Sequence, residues 1–128
     1  MELYLKQIME ENMKNNEKII QKFIHASIIY GEAIESGDVK KVNSQSKIIR
    51  KIRKQLKETD ELNILTPILD HENDFVKLNV AASLITISPD DSKIVLQELE
   101  KKKGLLGFEA MMFLQEWKKR NIMLMYII

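Results

Sequence analysis

Cysteine is missing from this chain of 128 residues, so disulfides, thiolate metal sites and a cysteine nucleophile are excluded together. Proline occurs twice and glycine four times. β-Branched residues do not cluster in alternating runs, and the two scarcities together favour helices over strands. No apolar run approaches the roughly 20 residues needed to span a bilayer. The stretch MELYLKQIMEENMK carries scattered charges and no long apolar core, so it does not read as a secretory leader, and the expected location is cytoplasmic. Catalytic signatures are equally scarce. There is no nucleophile elbow, phosphate loop or dinucleotide fingerprint, and Gly104-Leu-Leu-Gly107 lacks the lysine and the preceding strand that would give it meaning. His25 and His71 belong to no metal-ligand spacing, and His71 reads as a plain turn residue. No catalytic residue, metal or cofactor is expected.

What is present is an ordinary mixture for one soluble domain, 45% hydrophobic and 30% charged, which suffices for a single core. The net charge of +1 conceals a segregation. Residues 39–57 hold eight bases and no acid, whereas residues 58–100 hold ten acids and two bases. A charge-driven partner would meet one of these blocks rather than the average.

Apolar spacing predicts a short helix over 2–12, a break at the polar stretch Asn12 to Glu17, and a second helix from Glu17 to about Ser36 closed by Gly37. Asp38 is a fitting N-cap for a helix over 39–57. That helix would bury Val42, Ile49, Ile52 and Leu56 and carry Lys40, Lys47, Lys51 and Lys54 within about 60° of one another on the far side. A shorter helix is expected from Thr59 or Asp60 to about Asp70, bent or loosened by Pro67. After a turn at 71–74, residues 75–87 form a helix that is apolar nearly all round. Val76, Val80, Leu84 and Ile87 make one face, Leu78 and Ile85 point the opposite way, and only Asn79, Ser83 and Thr86 leave a polar stripe. Such a helix is normally packed between neighbours. Ser88-Pro89-Asp90-Asp91 reads as a helix start in which Ser88 accepts backbone bonds, with the helix running to about Lys102. A last amphipathic helix is expected over 105–119.

Shifting the sequence by 30 residues superposes apolar positions. Leu65 falls on Val95, Leu69 on Leu99, Leu78 on Phe108, Val80 on Ala110 and Leu84 on Leu114. This predicts a helix–turn–helix unit used twice, over about 60–87 and 90–119, with the 75–87 helix shielded by its partner on one side and by the next unit on the other. LNILTPILDHENDFVKLNVAASL resembles a HEAT repeat, with Lys77 where arginine is usual. The motifs QKFIHASIIYGEAIESGDVKKVN, IRKIRKQLKE, LTPILDHENDFVKLNVAASL, SPDDSKIVLQEL and GLLGFEAMMFLQEW, covering about residues 20–120, resemble a bacterial family known as domain of unknown function two thousand nineteen. The resemblance implies an all-α fold, a short HEAT-like α-α superhelix of about six or seven helices. It implies no activity, cofactor or site residue.

The surface features then divide. The ridge Lys40, Lys47, Lys51 and Lys54 is either a solvated face, a site for a protein partner, or a nucleic-acid site, the last disfavoured by the lack of interleaved aromatics. The acidic residues at helix starts and turns read as capping. The apolar run Ile122–Ile128 is expected either to cap the last unit or pack back on the N-terminal helices, or else, exposed, to form a homodimer contact or a membrane-surface anchor. The function expected is a non-catalytic protein-interaction module, in one version a bacterial immunity-type protein; nucleic-acid binding through the basic helix is the alternative.

Overall fold

The computed structural model describes residues 1–127, with side chains described through Asn121. Six helices and no strand occur among the described residues: α1 (Glu2–Ser36), α2 (Val39–Glu58), a 3₁₀ helix (Leu62–Ile68), α3 (Asp74–Leu84), α4 (Pro89–Glu100) and α5 (Leu105–Ile127). The all-helical reading therefore holds. The run Ile122–Ile128, expected to cap the core or to dimerise, lies outside the residues whose side chains are described.

The expected break at Asn12–Glu17 does not occur, and α1 continues through it for 35 residues. The polar stretch contains neither proline nor glycine. Asparagine in a helix interior costs at most about 0.7 kcal/mol relative to alanine, less than leaving two uncapped ends. Residues 1–15 are exposed, so the start of α1 runs past the body of the protein. Leu5 and Ile8 there share the face on which Phe23 and Ala26 are buried further along, but are 53% and 36% exposed.

Gly37 closes α1 in the left-handed conformation at φ 75°, its amide and that of Asp38 satisfying carbonyls of the last turn. Asp38 then caps α2, its carboxylate accepting from the Lys41 amide at 3.1 Å. Ile49, Ile52 and Leu56 are the buried face of α2, and Val42 is half-buried.

The helix expected from Thr59 to Asp70 is a shorter 3₁₀ segment. Pro67 has no amide to give and its ring would strike the carbonyl four residues back. Tighter bonds of the 3₁₀ type replace the α ladder, from the Ile64 amide to Glu61 and from the Leu69 amide to Thr66, both at 3.1 Å.

Asn73 caps α3, its side-chain oxygen accepting from the amides of Phe75 at 2.9 Å and Val76 at 3.1 Å. The helix stops at Leu84 rather than reaching Ile87, which is exposed. Pro89 restricts the residue before it to non-helical backbone. Ser88 sits at φ −138°, ψ 63°, and its amide closes the helix onto the Leu84 carbonyl at 2.7 Å. Ser88 precedes α4 without making the expected side-chain cap bond, while Pro89, Asp90 and Asp91 occupy the first turn as expected.

Packing gives α3 its role. Val76, Val80 and Leu84 enter one core with Phe23 and Ala26 of α1, Ile49, Ile52 and Leu56 of α2, and Leu62 and Leu65 of the 3₁₀ helix. Phe75, Leu78, Ala81 and Ile85 enter a second core with Leu96 and Leu99 of α4 and Ala110 of α5. A helix apolar on nearly every side thus has a partner on every apolar side. At Gly31 the backbone of α1 lies so close to the Phe75 ring that no added side-chain carbon would fit between them.

Candidate functional site

The four lysines of α2 lie where amphipathic spacing puts them. Lys40, Lys47, Lys51 and Lys54 are all exposed, on the side of α2 away from Ile49, Ile52 and Leu56. They do not engage the acidic block. Among the described residues the ion pairs are Lys102 with Asp74 at 3.1 Å and Arg120 with Glu116 at 3.6 Å. Both pairs are at the surface and contribute little to stability. The acidic residues are spread over helix starts and turns: Asp74 opens α3, Asp90 and Asp91 open α4, and Asp60 adopts a positive φ of 57° after α2. No cluster of His, Asp and Glu suited to a metal ion occurs among the described residues. His25 is exposed on α1, and His71 has a local task, its Nδ1 accepting from the Asn73 amide at 3.0 Å and tightening the turn before α3.

A more organised site lies elsewhere. Between α3 and α5 runs a groove of about 490 Å³. Leu78 and Ala82 of α3 form one wall, and Phe108, Met112 and Phe113 of α5 form the other. Arg53 enters from α2, and Asn79 lies beside it on α3. Glu109 and Glu116 complete the lining.

The polar side chains here are ordered by contacts between elements distant in sequence. Arg53 donates its Nε–H to Ser83 Oγ at 2.7 Å, and Ser83 Oγ in turn donates to the Asn79 carbonyl at 2.7 Å. Asn79 donates its side-chain amide to Ser27 Oγ on α1 at 3.2 Å. Tyr30 of α1 donates its hydroxyl to Glu109 Oε1 of α5. The stripe that leaves α3 incompletely apolar is therefore the line along which α1 and α2 are fixed to it by hydrogen bonds.

Charge is held in this groove at a cost. Burial lowers the pKa of Arg53, and the neighbouring Arg50 charge adds to the shift. Burial raises Glu109, against the opposing pull of the Tyr30 bond, and burial together with the Glu109 carboxylate pushes Tyr30 far above the ordinary tyrosine value.

Sequence reasoning placed Arg53 in the basic block and Asn79 and Ser83 in the polar stripe, but did not bring them together, and it did not single out Glu109. The available signal was Asn79 and Ser83, two polar residues four apart in a helix otherwise destined for burial.

A second groove, about 560 Å³, lies where the 3₁₀ helix, α3 and α4 meet, with Asp70, Asp74, Asp91 and Glu98 set against Lys77 and Lys102. Of its charged groups, Asp74 and Lys102 form the ion pair already described and Asp91 sits in the first turn of α4. No helix among the described residues is long and apolar enough to cross a membrane. No protein-family model matches this chain, and neither a curated protein nor a solved structure matches it.

Proposed function

We propose that this chain is a non-catalytic HEAT-like repeat module that docks another protein in the groove between α3 and α5. The carrying observation is a contrast between positions 30 residues apart. Leu78 on α3 is 5% exposed because α5 follows it, whereas Phe108, its counterpart on α5, is 53% exposed. Met112, one turn on, is 48% exposed. A large aromatic and a methionine on the open side of a groove, beside ordered polar groups, have the composition of a protein-interaction hot spot. An immunity-type role, in which the partner is a toxin, is one specific form of this reading.

Selection of a random displayed-peptide library on the full chain tests it. Selected peptides are expected to lose affinity by roughly tenfold or more on Phe108→Asp or Met112→Asp, in line with loss of a hot-spot contact. Binding indifferent to both substitutions would remove the reading.

Nucleic-acid binding through Lys40, Lys47, Lys51 and Lys54 is the second reading, supported by four exposed cations along one helix face that make no ion pair among the described residues. A mobility-shift assay at about 50 mM salt, where phosphate contacts are strong, should then show binding that Lys47→Glu with Lys51→Glu abolishes. Absence of any shift rejects it.

A further inference from the structure

We infer that the α3–α5 groove selects its protein partner by an acidic side chain, which Arg53 binds while an apolar neighbour on the partner packs against Phe108 and Met112. The inference rests on the docking reading above and adds the chemistry of the segment docked.

Arg53 is a partly buried cation with one described partner, the neutral hydroxyl of Ser83, which engages only its Nε. The guanidinium presents a planar fork of donors suited to a carboxylate. Its two outer nitrogens make no hydrogen bond among the described residues, and Arg53 lines the groove. Both carboxylates lining the groove are engaged elsewhere, Glu109 by the Tyr30 hydroxyl and Glu116 by Arg120 at 3.6 Å. Arg50, one turn earlier on α2, adds a like charge rather than a counter-charge. An arginine does not escape such a site by losing its proton. An anion entering the groove would supply the counter-charge that no described residue gives Arg53.

The surroundings narrow the anion. Two carboxylates on the facing wall disfavour a dianionic phosphate, leaving a singly charged carboxylate. Capture of a chain-terminal carboxylate typically uses a nest of free backbone amides. The groove walls here are interior turns of α3 and α5, whose amides are spent on helical bonds. An aspartate or glutamate side chain within the partner is the remaining source.

The test uses three N-acetylated dipeptides as probes, followed by NMR on the full chain. They are acetyl-Phe-Glu-amide, acetyl-Phe-Gln-amide, and acetyl-Phe-Gln with a free terminal carboxylate. Expected is a shift of the Arg53 Nε–H resonance and the Ser83 amide with the Glu peptide alone, alongside shifts of Phe108 and Met112 with all three. Arg53→Met should abolish the advantage of the Glu peptide and leave the Phe108 and Met112 shifts in place. Lys57→Met, an exposed cation on the same helix, should change nothing. Equal response to the Glu and Gln peptides at Arg53 overturns the inference but leaves docking intact. A response to the free terminus as strong as to the Glu side chain overturns the choice of source. If no probe moves Phe108 or Met112, the inference and the docking reading fall together.

Discussion

Replacing Gly31 by alanine offers the most direct check on the packing, because two effects of opposite sign meet at one atom. In a helix interior, glycine to alanine is worth about 1 kcal/mol of added stability. At this position, however, a Cβ would lie 2.4 Å from Phe75 Cδ2, 2.6 Å from Cγ and 3.0 Å from Cβ. The contact involves the stem of the side chain as well as the ring, so rotating the ring does not relieve it and α3 itself must shift. Phe75 is 6% exposed and also packs edge-on against Tyr30, centroids 6.1 Å apart, which leaves it no free direction. Overpacking a filled core costs about 1–3 kcal/mol, and a site with this little give belongs near the top of that range. Gly31→Ala should therefore destabilise by about 1–2 kcal/mol, the steric term outweighing the propensity gain. Urea denaturation measures the difference directly. In a Phe75→Ala background the ring atoms at 2.4 and 2.6 Å are gone and only the Cβ at 3.0 Å remains, so Gly31→Ala should cost at least about 1 kcal/mol less there than in the parent. A single Gly31→Ala variant as stable as the parent, or no relief of its cost in the Phe75→Ala background, would refute the described contact between α1 and α3.

Other expectations follow from individual groups. Ser92 is fully buried and its hydroxyl has no hydrogen-bond partner among the described residues; Ser92→Ala should raise stability by about 1 kcal/mol, since an unsatisfied buried hydroxyl costs about 1–3 kcal/mol, and a lower thermal midpoint would contradict this. Asn73→Ala removes the two cap bonds of α3 and should cost about 1 kcal/mol, with faster amide exchange at Phe75 and Val76 as the local signature. Glu109 holds its proton more tightly in the native chain than at its ordinary value of 4.5, through burial. Its contribution to stability is thus fully present below that value and is lost as pH rises through the native pKa. Glu109→Gln, which keeps an acceptor for Tyr30, should flatten the decline of stability across this acid-to-neutral window, as read from urea midpoints at successive pH values; an unchanged slope would count against it.

Local chemistry was the most legible level of the sequence. Gly37, Asp38 and Pro89 each announced a helix boundary because the cause lies within one turn of the effect. Polarity alone proved a poor sign of a break: Asn12 to Glu17 has no hydrophobic face to bury, yet nothing in it obstructs helical hydrogen bonding. Pro67 was recognised as a disturbance, but whether it kinks an α-helix or converts it to 3₁₀ depends on how the turn before α3 is packed. The lysine face of α2 could be read because amphipathic spacing is periodic along one element. The α3–α5 groove could not, because Arg53, Asn79 and Glu109 meet only after three helices are placed, and no periodicity links them. The polar stripe of α3 hinted that something crossed there without saying what.

The division of α3 between two hydrophobic clusters has a thermodynamic consequence. Extended repeat arrays can melt from one end, because each unit leans only on its neighbour. Here Val76, Val80 and Leu84 wall one cluster and Phe75, Leu78 and Ala81 wall the other on the same 11-residue rod. Neither half can disengage without stripping the opposite half of its central surface, so heat or urea should find one transition spanning the chain, and severing the protein on either side of α3 should leave no fragment that holds its shape.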